Sequence, residues 1–233
     1  MAEMPPMDDR ALKARGMMKQ RNGDLFSVRL GVTGGHVTAA HLKTIGELAE
    51  RYGCGAVHLT TRQGIEIPNV PYANLEPLAR DLASAGLTLG LTGPRVRGIT
   101  ACPGHICQHG LGNTQELAQR LASAVGDRTG LPHKFKIGIT GCPNGCAKPI
   151  ENDFGVMCVA KGYRVFVGGQ MGKKARLGDR LSFTVPNVEA LIRIIHASLD
   201  WFCEHAAGRE RFGSTIDRVG LGSLVARLEP LAG

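Results

Sequence analysis

Two pairs of cysteines are the residues of this chain whose type and spacing point most directly to chemistry. The first pair is Cys102 and Cys107, which have proline and glycine between them. The second pair is Cys142 and Cys146, in the segment Thr-Gly-Cys-Pro-Asn-Gly-Cys. Proline, asparagine and glycine keep both segments non-helical and tightly turned. Four thiolates on two such loops suit binding of one inorganic centre.

The spacing of the pairs leaves three interpretations open. The pairs are C-x4-C and C-x3-C, whereas structural zinc sites with four cysteines usually use C-x2-C turns. Irregular spacing on two loops is compatible with a [4Fe-4S] cluster. An iron-sulfur centre is therefore favoured over a zinc site and over unrelated thiols. The three other cysteines, Cys54, Cys158 and Cys203, are expected to be packed as small apolar residues.

Cationic side chains form a second group of candidate functional residues. Lys134 and Lys136 alternate along a predicted strand that leads to the second cysteine pair, so both point to one face. Arg97 lies on the predicted strand that leads to the first pair. Together with Arg29 and Arg62, these cations would suit a pocket for an anion. The alternative interpretation is that each of them lies on a solvated surface.

The elements that position these residues follow from the apolar periodicity. Residues 25–90 are predicted as strand, helix, strand and helix, an α+β unit of ferredoxin-like type. A boundary near residues 90–95 divides a half-domain (25–93) from a second domain (94–233), and a flexible or loosely helical lead-in (1–24) precedes them. The further predicted elements are strands over 95–100 and 134–140, helix 114–125, hairpin 153–167, helix 188–206 and short helices within 209–228.

Composition and charge narrow the class of protein. The chain has 233 residues, 32 glycines, seven cysteines and a formal net charge of +8. Its basic residues form no dense run, so nucleic-acid binding is not expected. No apolar run reaches membrane-spanning length and no leader segment is visible at the start. Clustered cysteines without these features predict a metal-binding protein of a reducing, cytoplasmic compartment.

Several short segments, taken in chain order, resemble the siroheme-dependent sulfite and nitrite reductase family. The specific ones are Thr60-Thr61-Arg62-Gln63 and the segment that contains the second cysteine pair, and they occur together with Lys134-Phe135-Lys136. The others are Val28-Arg29-Leu30 with Gly34-Gly35, Leu59, Val96-Arg97, Cys102-Pro103-Gly104, Leu131-Pro132-His133 and Val167-Gly168-Gly169. They cover about residues 25–172.

The resemblance implies the cofactors and the roles of the candidate residues. It implies a ferredoxin-like half-domain followed by an α/β domain that binds a siroheme and a [4Fe-4S] cluster. The implied cluster ligands are Cys102, Cys107, Cys142 and Cys146, of which Cys146 also bridges to the siroheme iron. The residues implied to face the substrate anion are Arg29, Arg97, Lys134 and Lys136. Arg62 is implied to hold carboxylates of the siroheme.

The implied activity is a multi-electron reduction of sulfite to sulfide, with nitrite to ammonia as the second choice. No flavin or nicotinamide motif is present, so the electrons are expected from an external redox protein such as a ferredoxin. The basic segment Lys173-Lys174-Ala175-Arg176 would dock an acidic donor or would simply be solvated. The alternatives are an iron-sulfur electron-transfer or accessory subunit without siroheme turnover, and a zinc-stabilised anion-binding module.

Two departures from the family pattern carry further expectations. Larger family members contain two tandem copies of this unit, and this chain contains one. We therefore expect two chains, identical or different, to form a dimer that shares its sites. The first cysteine pair is also one residue tighter than the usual C-x5-C of the family. The role of Cys107 is therefore open, with His105 and His109 close by in sequence.

Overall fold

The computed structural model of the chain describes residues 8–233, which divide into two compact units. The first unit runs from residue 8 to Val32 and from His36 to Gly93. The second unit combines the short segment Thr33–Gly35 with Pro94–Gly233. Each unit has its own cluster of buried apolar residues.

The first unit is built on a four-stranded antiparallel sheet. Its elements are α1 (Asp9–Ala14), β1 (Met17–Lys19), β2 (Leu25–Leu30), α2 (Ala39–Tyr52), β3 (His58–Leu59), β4 (Ile65–Pro71) and α3 (Leu75–Ser84). The strand order is β1-β2-β4-β3. Strand β2 buries Phe26, Val28 and Leu30, every second residue. This alternation is typical of a sheet with one face on the core and one polar face.

The second unit is built on a five-stranded mixed sheet. Its elements are β5 (Thr100–Ala101), α4 (Thr114–Val125), β6 (Ile137–Thr140), β7 (Phe154–Val159), β8 (Gly162–Val167), β9 (Asp179–Val185), α5 (Val188–His205), α6 (Phe212–Val219) and α7 (Leu221–Leu228). The order is β5-β6-β7-β8-β9, parallel from β5 to β7 and antiparallel from β7 to β9. All four residues of β6 are buried, as expected of a parallel strand covered on both faces.

Aromatic side chains fill the core of the second unit. Phe135, just before β6, has its ring centroid 5.1 Å from that of Phe212 at the start of α6. Its ring centroid also lies 6.3 Å from that of Phe202 in α5 and 6.5 Å from that of Phe154 in β7. All four rings are fully buried, so the segment before β6 is fixed to both the sheet and the helices.

The structure corrects two predictions about secondary structure. The expected lead-in contains, from residue 8 on, helix α1 and strand β1, and β1 pairs with β2. Three residues are too few to show an alternation, so β1 left no clear signal in the sequence. Strand β9 was also missed, although Leu181, Phe183 and Val185 alternate with polar residues. The expectation that no leader segment is present rests on residues 1–10, of which residues 1–7 lie outside the described part of the chain.

The combination of helices and sheets confirms the predicted α+β class. Within residues 8–233, no helix combines the length and the apolar character needed to cross a bilayer.

Candidate functional site

The two cysteine loops pack directly against each other. The Gly141 N–H donates a hydrogen bond to Cys102 Sγ at 3.0 Å. A Cβ on Gly141 would lie 3.0 Å from the Cα of Gly104 in the first loop and 3.4 Å from Cys102 Sγ. Glycine, which has no Cβ, therefore allows the two loops to approach each other this closely.

Cys102 and Cys142 lie on the buried side of these loops, each about 8% exposed. Cys158 of β7 is also buried. Burial raises the pKa of the Cys158 thiol to about 11, and Cys102 and Cys142 contribute to that rise. Cys158 is therefore a packed thiol, as predicted, whereas Cys54 and Cys203 are exposed and the prediction for those two was wrong.

Cys107 and Cys146 lie on the exposed side of the same two loops. The first loop is closed by the Gly110 N–H, which donates to the Cys107 carbonyl at 2.9 Å. The Leu111 N–H then donates to the Gly141 carbonyl of the second loop at 2.7 Å. In the described part of the chain, no three Cys, His, Asp or Glu side chains are grouped as a metal site. The structure therefore brings the two loops together, and Cys102 lies at the contact between them.

Two residues at the start of α4 support the first loop and were not identified from the sequence. The hydroxyl of Thr114 and the side-chain amide of Gln115 both donate to the Cys102 carbonyl, the latter at 3.1 Å. The Gln115 amide also donates to the Gly34 carbonyl at 3.0 Å. The Gly34-Gly35 turn, in which both residues have positive φ, was the available signal for this contact.

Arg97, Lys134 and Lys136 lie on one face of the second unit. An isolated parallel bridge pairs Val96 with Phe135, and both side chains are buried. Paired residues of neighbouring strands point the same way, and their sequence neighbours point to the opposite face. The three cations are therefore on the face opposite the core, and for Lys134 and Lys136 this agrees with the alternation expected from the sequence.

The electrostatics of this face reflect crowded positive charge. Burial lowers the pKa of Lys134, and the Arg211 and Arg97 guanidinium groups lower it further. Burial, followed by Arg211 and Lys134, also lowers the pKa of His133. His133 Nδ1 accepts a hydrogen bond from the Lys134 N–H at 2.8 Å. Crowded cations of this kind favour binding of an anion.

One buried carboxylate lies among these cations, and sequence reasoning missed it. Asp153 is fully buried and accepts hydrogen bonds from Arg211 Nη2 at 2.9 and 3.0 Å. Its Oδ2 also accepts the Lys136 N–H at 2.9 Å. Burial raises the pKa of Asp153, and Arg211 and the Lys136 N–H oppose that rise. No local pattern signals this pair, because 58 positions separate the partners.

Arg29 and Arg62 belong to the first unit. Arg29 of β2 is paired across the sheet with Glu66 of β4, and its Nε and Nη2 donate to Glu66 Oε1 at 2.8 and 2.6 Å. Arg62 lies in a tight turn in which the Thr60 hydroxyl accepts the Gly64 N–H at 2.9 Å. Arg29 therefore lies on the polar face of the sheet, and Arg62 lies in this turn.

The basic segment over residues 173–176 has two different parts. Lys173 and Lys174 are exposed. The Arg176 guanidinium is largely buried and forms ion pairs with Asp179 at 2.6 Å and Asp217 at 2.9 Å. Arg176 therefore fixes the loop to α6, and the two lysines are the part of the segment that could meet an acidic partner.

Comparison with protein families gives two matches along the chain. Residues 92–232 match the nitrite and sulphite reductase 4Fe-4S domain. Residues 18–85 match the nitrite/sulfite reductase ferredoxin-like half domain. Together the two matched segments follow the order of the two structural units.

Curated relatives include reductases of sulfite and of nitrite. A coenzyme F420-dependent sulfite reductase of Methanocaldococcus jannaschii is 27% identical over 93% of this chain and 44% of its own length. An assimilatory ferredoxin-dependent nitrite reductase of Haloferax mediterranei is 30% identical over 97% of this chain and 45% of its own length. The chain thus spans less than half the length of these two relatives.

Solved structures share the fold. Dissimilatory sulfite reductase I has a TM-score of 0.79 at 18% identity, covering 88% of this chain and 69% of that chain. The NirA protein of Mycobacterium tuberculosis has a TM-score of 0.83 at 19% identity, covering 94% of this chain and 45% of that chain.

Proposed function

Because the chain belongs to the nitrite and sulphite reductase 4Fe-4S domain family, we propose that it reduces sulfite to sulfide, with nitrite as the second candidate substrate. The observation that carries this proposal is the placement of Arg97, Lys134 and Lys136 on one face of the unit that also packs the two cysteine loops together. An anion site beside a metal centre is what the reduction of an oxyanion requires.

A [4Fe-4S] cluster is the first cofactor of the proposal. Cluster ligands are thiolates, and N–H groups directed at their sulfur atoms stabilise the negative charge. Cys102 Sγ already accepts such a bond from Gly141. We assign cluster binding to Cys102, Cys107, Cys142 and Cys146, which lie on these two loops.

A siroheme is the second cofactor of the proposal. We assign Arg62 to its carboxylates, because guanidinium groups bind carboxylates through two parallel hydrogen bonds. Cys146, which is exposed on the second loop, would contribute to holding both cofactors. When bound, the two cofactors supply single electrons and a site at which the substrate is reduced.

The side chains of the chain itself would bind the anion and deliver protons. Arg97 stays charged and would orient the anion. Arg29 of the first unit is a further candidate for the same role. Lys134 and Lys136 would stabilise negative charge as oxygens are protonated and leave as water. The lowered pKa of Lys134 makes its ammonium a better proton donor near neutral pH.

The electron donor in this proposal is a separate redox protein such as a ferredoxin. Exposed Lys173 and Lys174 would contribute to docking of an acidic donor. We further propose that two copies of this kind of unit associate, since the chain contains one. A cytoplasmic location would give the thiols the reducing environment that they need.

The first test is an absorption spectrum of the anaerobically purified chain, followed by acid-acetone extraction of the pigment. We expect siroheme bands, acid-labile sulfide at about four per site, and turnover of sulfite with a chemical reductant. A brown chain without siroheme and without turnover would contradict the reductase and favour an electron-transfer subunit. A colourless chain that contains zinc would contradict both.

A further inference from the structure

The packing of the start of α6 places Arg211 of the buried Asp153–Arg211 pair. Arg211 immediately precedes α6, and the next residue, Phe212, packs its ring against Phe135. Phe135 lies between Lys134 and Lys136 in the chain. The start of α6 is therefore fixed to the same short segment that carries both lysines.

Asp153 places a buried negative charge among the cations of this face. Its carboxylate is fully buried, and a buried charge requires a partner of opposite charge. Besides Arg211, the charge of Lys136 lowers the pKa of Asp153. The charge of Asp153 in turn raises the pKa of Lys134. Without Arg211, the buried carboxylate would therefore draw more strongly on these lysines.

We propose that Arg211 is a positioning residue that occupies Asp153 and thereby keeps this carboxylate from competing with the substrate anion for Lys134 and Lys136. Arg211 Nη2 contacts both carboxylate oxygens, at 2.9 and 3.0 Å. Asp153 in turn fixes the backbone of Lys136 through its N–H. This inference rests on the proposed function, in which the two lysines contact the anion.

The test compares Arg211→Gln, Asp153→Asn and the double variant. Sulfite binding to the purified full chain is measured by calorimetry. We expect Arg211→Gln to weaken sulfite binding about tenfold, the factor that corresponds to one pKa unit. The double variant should bind sulfite within about twofold of wild type, because no carboxylate remains at this position to attract a lysine.

This restoration distinguishes positioning from direct contact with the anion: if Arg211 bound the anion itself, removal of Asp153 would not restore binding. A role in the fold alone would lower the melting temperature of Arg211→Gln, because the buried carboxylate loses its partner, but would leave sulfite binding by the folded chain unchanged. A double variant as weak as Arg211→Gln would therefore overturn the proposal, as would an Arg211→Gln chain with unchanged binding.

A second measurement does not depend on turnover or on Arg211→Gln being folded. The acetylation rate of Lys134 at fixed pH, followed by mass spectrometry, reports the fraction of its neutral amine. The charged groups that act on Lys134 are Arg211, Arg97 and Asp153. Asp153→Asn removes a negative group from this set, so acetylation should accelerate and sulfite binding should not weaken.

Slower acetylation or weaker sulfite binding in Asp153→Asn would contradict the inference. Failure of the wild-type chain to reduce sulfite or nitrite would instead contradict the proposed function. The acetylation rates would in that case still show whether Asp153 acts on Lys134.

Discussion

Replacing Gly110 by alanine would insert a methyl group where the first cysteine loop closes on itself. A Cβ on Gly110 would lie 1.9 Å from the Gly104 carbonyl oxygen and 2.5 Å from its carbonyl carbon. A carbon atom and a carbonyl oxygen normally stay about 3.3 Å apart, so the backbone must move by roughly 1.4 Å. Because Gly110 is hydrogen-bonded to the Cys107 carbonyl, this movement also displaces Cys107.

Overpacking of this kind costs about 1–3 kcal/mol of the free energy of unfolding. For a chain of this size each kcal/mol lowers the melting temperature by about 2–4 °C. We therefore expect a fall of roughly 2–12 °C in Gly110→Ala. Iron and acid-labile sulfide per chain should also fall well below the wild-type content, because one ligand loop is distorted.

The matched control is Gly222→Ala in α7. A Cβ on Gly222 meets no heavy atom within 4 Å, and alanine is favoured over glycine in a helix by about 1 kcal/mol. The control should keep its cluster and melt at the wild-type temperature or above. Wild-type cluster content and melting temperature in Gly110→Ala would refute the reasoning about the loop.

Three further predictions concern the lysine face, the ligands and pH. Lys136→Ala should lower sulfite turnover by at least about a hundredfold, the effect of losing one charge-stabilising group, while cofactor content by absorption persists. Cys142→Ser should lose iron and sulfide on metal analysis, whereas Cys203→Ser should retain both. The hydrogen bond with Arg218 lowers the pKa of Glu210 from 4.5 to about 2. A lowered folded-state pKa stabilises the fold above about pH 4.5, and this contribution is lost as the pH falls towards 2. The melting temperature of Glu210→Gln should therefore lie below that of the wild type at pH 7 and come close to it at pH 2.

Much of the fold and part of the site could be predicted from local sequence signals. The family resemblance is confirmed by both family matches. The alternation around Phe135 predicted a core side and a cationic side, because a strand has a period of two. These features depend on residues that are close together in the chain.

The remaining features depend on contacts that no local pattern records. Asp153 and Arg211 become partners only when α6 packs against the segment before β6. Gln115 contacts Cys102 and Gly34 because a distant glycine turn joins the second unit. The segment that contains Arg176 was expected to be solvated or to dock a donor, but Arg176 is largely buried and its partner Asp217 lies 41 positions away.

The segment Thr33–Gly35 limits how the second unit can be separated from the sequence that precedes residue 94. The Gly34 N–H donates to the Ile99 carbonyl at 2.8 Å, and the Gly34 carbonyl accepts from Gln115. A gene fragment that encodes only residues 94–233 would remove the N–H partner of the Ile99 carbonyl and leave the Gln115 amide with its bond to the Cys102 carbonyl alone. Duplication or transplantation of the cysteine-bearing unit is therefore expected to succeed only when the genetic segment also includes the sequence that precedes it.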